Sequence, residues 1–531
     1  MLMKNKKETL LILTILITIC IIIFNRDKLY EAKYIEPKDT LLAITINGEI
    51  STTFPTTNAY TGSVECTTGT GKVEWNGTKW VLTTSGITKG STKCNAIFKQ
   101  TLRQSILANN EVKNPITTPG KEISAHTLDD AQSTTTSVSS TYQAYYFTYG
   151  TGWEANGTKF NLTGAAVTSD TYANSYSSLV GKYLVSQYPY NAGSRTAGTM
   201  KPTTNLDSVY YVVSATSSSF TYKTLSSTKN TTEAELASTE DDYGTSYYFR
   251  GAVKNNYVQF ANKCWRIVRI VGDGSVKLVL HNDNTAGAAN PCSSANNSTK
   301  AAFARYSGTT YTSAFNSSYD DNAYIGFMYG TAGASDYAST HANTNNSAIL
   351  TYLETWYTNN LKTYADAITD TVWCNDKTNV TDTTYDPWGI PPNGLGYAKN
   401  VTYYGATQRL VSASGSAGGT GPSLKCNGEL SKINSKVGLI TADELAFAGY
   451  AYHKYNTTTY LQENATTDWW SLSPFGFSSG YAWVLAVEGR DGYFNLNYVY
   501  GAYGVRPLIS LKSTTNVTGD GTSSSPFIIN M

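Results

Sequence analysis

Several stretches of this chain alternate apolar and polar positions with the two-residue period of strands, and two stretches carry the longer period of a helix. Leu41 to Ile50 (LLAITINGEI) reads as a strand. In Trp75 to Leu82, Asn76-Gly77-Thr78-Lys79 sits between strand-like residues and predicts a hairpin. The same four letters return at Asn156-Gly157-Thr158-Lys159 before Phe160-Asn161-Leu162, and each copy has a tryptophan just upstream, Trp75 and Trp153. Two small β-sandwich-like modules, over 41–112 and 142–224, are therefore expected as a tandem repeat. In a chain this rich in Asn, Gly and Thr, the recurrence also has a chance reading. The Ser/Thr stretches Gln132–Thr141 and Leu225–Thr232 predict linkers, placed at 113–141 and 225–242.

From Tyr243 the pattern becomes a meander. Tyr247–Gly251, Tyr257–Phe260 and Cys264–Ile270 read as strands, and Gly272-Asp273-Gly274 turns the chain into Val276–Leu280. Two helices follow. Ser347 is placed to cap one whose apolar stripe is Ile349, Leu350, Leu353, Trp356, Tyr357 and Leu361. Thr441-Ala442-Asp443-Glu444 is a capping box with Gly449 as a stop. Strands resume from Trp469, giving one α+β domain over 243–531.

The N-terminus supplies an address. Lys4, Lys6 and Lys7 precede an apolar run, Thr9 to Phe24, a little shorter than the roughly 20 residues of a spanning helix. No small-x-small cleavage site follows, so a signal anchor at 9–24 is expected, with 1–8 cytoplasmic and 25–40 a juxtamembrane linker. Cys20 suits lipid attachment poorly, because Ile19 stands where a small residue is wanted. The rest is expected outside the cell, on a single-pass protein of the cell membrane.

Composition agrees with that address. Charged residues make up 15% of the chain, there are 41 tyrosines, and the net charge of +1 gives no electrostatic case for nucleic acid. Beyond Cys20 lie Cys66, Cys94, Cys264, Cys292, Cys374 and Cys426, an even set that suits disulfides in an oxidising compartment. Sequence leaves their connectivity open. Sequential pairing (66–94, 264–292, 374–426) is expected because it keeps each bridge inside one module. Four histidines without ligand spacing, and no Cys-x-x-Cys, point to no metal and no cofactor. Gly476-Phe477-Ser478-Ser479-Gly480 matches a nucleophile pattern, but no histidine follows Ser478 and a loop is expected there. Glu240-Asp241-Asp242 and Asp320-Asp321 read as solvated charge. No enzyme is expected.

Trp469-Trp470-Ser471-Leu472-Ser473-Pro474, followed later by Gly504-Val505-Arg506-Pro507-Leu508-Ile509-Ser510-Leu511, resembles the end of C-type-lectin-fold domains. Within that fold it looks like the members related to formylglycine-generating enzymes and to the variable proteins of diversity-generating retroelements. Cys264–Arg269, Val437–Glu444 and the closing Gly519–Ile529 are similar to exported proteins of gut Firmicutes. The resemblance implies a fold, not a chemistry. The late cysteine pair of the formylglycine-generating enzymes is missing. Of the calcium-lectin motifs only Trp373-Cys374-Asn375-Asp376 is present, without Glu-Pro-Asn.

Between Phe475 and Tyr503 the chain concentrates aromatic and amide side chains: Phe475, Phe477, Tyr481, Trp483, Tyr493, Asn495, Asn497, Tyr498, Tyr500 and Tyr503. Tyrosine offers large amphipathic contact area at little rotamer cost, and Asn adapts its hydrogen bonds, so this is the composition of a binding face. A glycan or a protein on another cell, phage or host surface is the expected partner. A plain alternating strand pair, with Tyr493, Asn495 and Asn497 on one side and Phe494, Leu496 and Tyr498 on the other, accounts for part of the pattern. The retroelement resemblance implies that Tyr481, Asn495, Asn497, Tyr498, Tyr500 and Tyr503 fit the outcomes of adenine mutagenesis of Asn codons, with Trp483 and Glu488 as fixed frame. The rival readings are a structural envelope protein without a ligand, and an enzyme of the formylglycine-generating type.

Overall fold

The computed structural model describes residues 41–88, 90–115, 118–121, 233–305 and 308–529, and the backbone of short strands within 128–225. The expected anchor 9–24 and the second Asn-Gly hairpin at 156–162 lie outside the described residues. The protein is mainly β, with 36% strand against 14% helix arranged in several sheets. No helix among the described residues is long and apolar enough to cross a membrane.

Chain contacts divide the molecule after Lys99. In the first unit, strands Leu41–Ile46, Glu49–Ser51, Tyr60–Cys66 and Lys93–Gln100 form one sheet, and Thr70–Trp75 pairs with Trp80–Ser85. The expected hairpin is present: Asn76 Oδ1 accepts from the Thr78 and Lys79 amides, and Trp75 stands opposite Trp80. Leu41 to Ile50 is not one strand. Asn47 and Gly48, both at positive φ, turn it back on itself so that Ile46 faces Glu49, the two-residue turn that Asn-Gly favours. Ile44, Val73, Trp80, Ala96 and Phe98 fill this unit's core, and Cys66–Cys94 staples it.

The expected end of the first module, at 112, is corrected. Helix Leu102–Asn109, capped by Thr101, buries Leu102 and Ile106 in the core of the second unit. The linker expectations are corrected in part as well. Leu128–Ser137 pairs with Ser219–Leu225 in a four-stranded antiparallel sheet, because β-branched threonine suits a strand as well as a linker. Likewise Ala234–Asp241, read as linker, pairs along its whole length with Gly244–Gly251.

From there two sheets share one core. In the first, Lys263–Ile270 joins Tyr257–Phe260, Gly244–Gly251 and Val276–Asn282. The chain's end returns to it: Leu508–Leu511 pairs with Val276–Asn282, and Phe527–Ile529 runs parallel to Tyr257–Phe260. In the second, the fully buried strand Trp469–Ser478 lies between Tyr481–Glu488 and the short Thr402–Tyr403 and Tyr503–Gly504. Ser347 caps helix Ala348–Asn360 as expected, and the buried stripe adds Tyr352. The capping box at Thr441 is present, with Gly449 closing the helix at φ 116°. That helix, Ala442–Ala448, is buried on every side, Asp443 and Glu444 included. The chain also makes the short helices Tyr337–His341 and Gly405–Leu410. Disulfides Cys264–Cys292 and Cys374–Cys426 complete the sequential pairing.

Candidate functional site

Ser479 (φ 53°) and Gly480 (φ 81°) form a two-residue turn that sets Ser478 opposite Tyr481. The Gly-x-Ser-x-Gly match is thus the bend of a β-hairpin, without the strand-to-helix elbow that exposes a nucleophile. This hairpin, with Tyr493–Tyr498 as the next strand, carries the aromatic segment.

Cross-strand pairing sorts the side chains. Trp483 stands opposite Tyr498, Ala486 opposite Asn495, and Glu488 opposite Tyr493. Successive residues alternate faces, so Phe494 and Leu496 turn inward, while Tyr493, Asn495 and Asn497 are partly open.

An aromatic shelf results. Tyr481 stacks on Tyr319 at 5.3 Å and meets Tyr498 at 4.9 Å; Tyr500 lies 4.8 Å from Tyr319 and 5.3 Å from Tyr498. Trp483 packs on Tyr498 at 3.7 Å and on Trp388 at 5.2 Å. Tyr319 and Tyr500 are 39% and 44% exposed, so the shelf opens to solvent. The Ala482 amide donates to the Tyr319 carbonyl, which fixes the Tyr319 loop to the strand beneath the shelf.

A second group of rings lies along Tyr493–Tyr498. His453, at φ 56°, stacks between Tyr452 at 4.0 Å and Tyr493 at 5.7 Å, and Tyr455 covers Tyr493 at 4.6 Å. His453 Nε2 bonds Asn495 Oδ1 at 3.0 Å, and Asn495 Nδ2 donates to Glu488 Oε1 at 2.9 Å. Burial lowers the His453 pKa, so the ring is mainly neutral near neutrality.

Three expected site residues fall elsewhere. Phe475 and Phe477 are buried (0% and 1% exposed) on the central strand, and Phe475 packs against Trp388, Tyr403 and Tyr452. They support the surface and cannot touch a ligand. Tyr503 packs edge-on against Trp470 at 4.7 Å, apart from the shelf's ring contacts. Tyr319, Trp388 and Tyr455 join the aromatic surface from distant loops, and no local pattern marks them.

Sequence reasoning also missed a charged cleft, whose open space, mouth included, is about 490 Å³. Arg269 meets Asp241 at 2.7 Å and Glu444 at 2.9 Å, and Lys277 meets Glu444 at 3.0 Å. Arg409 bridges Asp376 at 2.6 Å and Asp443 at 2.7 Å. Burial penalises the Glu444 charge, but Lys277, Arg269 and the Thr441 amide outweigh it and hold the carboxyl down at about 2. Asp241 is therefore a buried partner rather than solvated charge, and Asp321 is buried too, capping a short 3₁₀ turn. Asn375 and Asp376 are committed to Phe327, Leu472 and Arg409. The cleft's buried cations are met by buried carboxylates, which suits a brace better than a trap for a charged ligand. Among the described residues no His, Cys, Asp or Glu cluster is arranged to hold a metal ion.

Compared with family models, curated proteins and solved structures, this chain matches none of them.

Proposed function

We propose that this chain is a ligand-binding protein of the cell surface. The apolar segment 9–24 anchors it in the membrane, the β modules act as a spacer, and a C-type-lectin-like region over 243–531 recognises a glycan or a protein on another surface. One observation carries the reading: Tyr319, Tyr481, Tyr498 and Tyr500 form a solvent-open shelf of touching rings over a fully buried strand. Aromatic groups held this way lose little entropy on contact and present both an apolar face and a hydroxyl, which suits sugar rings and protein hot spots alike. The pairing of the region's first strands with its last, and the two disulfides within it, support a rigid scaffold of the kind the resemblance implies.

The test is a glycan array and a panel of intact cells probed with the full chain and with a Tyr481→Ser, Tyr498→Ser, Tyr500→Ser variant. Loss of one hot-spot tyrosine typically costs over 1 kcal/mol, so the triple change should weaken any binding by more than about tenfold. Its thermal transition should stay unchanged. Equal binding by both proteins refutes the shelf as the site, and equal retention on the producing cell's own envelope supports an assembly role instead.

A further inference from the structure

Lys377 is fully buried, and its amine has no carboxylate partner among the described residues. Neutral oxygens surround it: Met328 O at 3.0 Å, His341 O at 2.8 Å and Asn343 Oδ1 at 2.6 Å. A buried ammonium without a counter-charge favours losing its proton, and burial pulls this amine down to about 7. As a neutral amine, Lys377 has two N–H groups for the Met328 and His341 carbonyls. In the structure Nζ also donates to Asn343 Oδ1, the shortest of the three contacts, so the amine lies against the carboxamide and its lone pair meets Cγ only when that hydrogen bond gives way.

The carboxamide is held from its other end. Asn343 Nδ2 donates to Leu430 O and Lys432 O, each at 3.3 Å. Beside the pair lies His341, fully buried, with Nε2 at 2.8 Å from the Gly396 carbonyl. A carbonyl only accepts, so Nε2 carries the ring proton and Nδ1 has a free lone pair. Nδ1 is buried without a hydrogen-bond partner, and burial, reinforced by the Lys377 charge, pushes the ring down to about 3, so it adds no second positive charge beside the amine.

We propose that Lys377 and Asn343 condense into an intramolecular isopeptide bond. The Lys377 Nζ lone pair attacks Asn343 Cγ, forming the Nζ–Cγ bond. The proton shed by Nζ passes to Asn343 Nδ2, the leaving nitrogen. The Cγ–Nδ2 bond then breaks, ammonia leaves, and the carbonyl re-forms. Atoms and electrons balance without oxidant, metal or cofactor. Holding amine and amide in contact inside the fold supplies the effective concentration that such a condensation lacks in water.

The cross-link would tie the end of helix Tyr337–His341 to the segment after strand Thr371–Cys374, next to the Cys374–Cys426 bridge. Unlike the disulfide it survives reduction. The proposal is independent of what the aromatic shelf binds.

The experiment is tandem mass spectrometry of the full chain after reduction, alkylation and tryptic digestion. The expected result is one branched peptide joining Asn343 to Lys377, lighter than its two parts by one ammonia, with no cleavage after Lys377. Lys377→Met and Asn343→Ala should each abolish it. Separate, unmodified peptides bearing Asn343 and Lys377 in the natural chain overturn the proposal, as does Asn343 deamidated without a link. The natural chain gives this answer even if the variants fail to fold.

Discussion

Replacing Glu444 by Gln should destabilise the C-terminal region more than any single change at its surface. Glu444 Oε1 accepts from both Arg269 and Lys277, while Oε2 accepts from the Thr441 amide, closing the capping box. Gln keeps an acceptor for the cap but loses the charge. Arg269 retains Asp241, whereas Lys277 is left buried beside Trp373, 4.7 Å from its ring, with no carboxylate in contact. The native carboxyl is held at about 2 against an ordinary 4.5, which corresponds to about 3 kcal/mol at 1.4 kcal/mol per pH unit. That figure agrees with the roughly 3–5 kcal/mol cost of breaking a buried pair. In a region of this size it should lower the transition by about 5–10 °C, followed through the buried Trp265, Trp356, Trp469 and Trp470. Because the folded pKa is below the unfolded one, the stabilisation is complete above about pH 4.5 and is lost as pH falls towards 2. Glu444→Gln should flatten that acid limb. Adding Lys277→Met should recover part of the loss, since it removes the orphaned charge. A shift below about 1 °C, or strict additivity in the double variant, would refute the account.

Three further outcomes follow from the same geometry. Phe475→Ala should cost about 3–5 kcal/mol by opening a cavity under Trp388 and Tyr452, while Tyr500→Ala should stay within about 0.5 kcal/mol; calorimetry of the two variants compares them directly. Gly251→Ala should fold poorly or not at all, because at φ 79° a Cβ would sit 1.8 Å from the Glu233 carbonyl oxygen, and soluble yield together with near-UV dichroism reads this out. Opening Cys264–Cys292 by Cys292→Ser should cost about 3 kcal/mol, given a sequence separation of 28, and denaturant titration of the variant measures it.

Local signals in the sequence were reliable where one short segment decides the outcome. Asn76-Gly77 makes its hairpin, Ser347 and Thr441 cap their helices, and the sequential disulfides form. Local reasoning failed where the deciding partner is distant. Asp241 looks like an ordinary solvated acid and Glu444 like a plain capping residue until Arg269 is brought between them, and nothing near 241 or 444 announces that arginine. Ala234–Asp241 has the composition of a linker, and its pairing with Gly244–Gly251 makes it a strand. Within the aromatic segment, period-two alternation separates inward Phe494 and Leu496 from outward Asn495 and Asn497. The same alternation fails for Phe475 and Phe477, because Trp469–Ser478 is covered on both faces and every residue of it is buried.

That asymmetry bears on whether the shelf can vary without losing the fold. Strand Trp469–Ser478 is tied to helix Ala442–Ala448 through the Ser473 hydroxyl and the Ala442 amide, so the buried ion network and the base of the hairpin are one packed body. Tyr481, Tyr498 and Tyr500 have their ring contacts above it, with one another, Tyr319 and Trp483. Their replacement leaves the backbone ladder and the core untouched. Trp483 and Tyr503 pack against the core, and Asn495 joins His453 to Glu488, so changes there disturb the frame. If the segment is diversified, substitutions across a population should therefore concentrate at Tyr481, Tyr498 and Tyr500, reach Asn497 less often, and spare Trp483 and Glu488. Deep sequencing of the codons from Trp469 to Leu511 measures this directly. Variation spread evenly over buried and open positions would refute the division between frame and shelf, and invariant shelf codons would leave a binding face of fixed specificity.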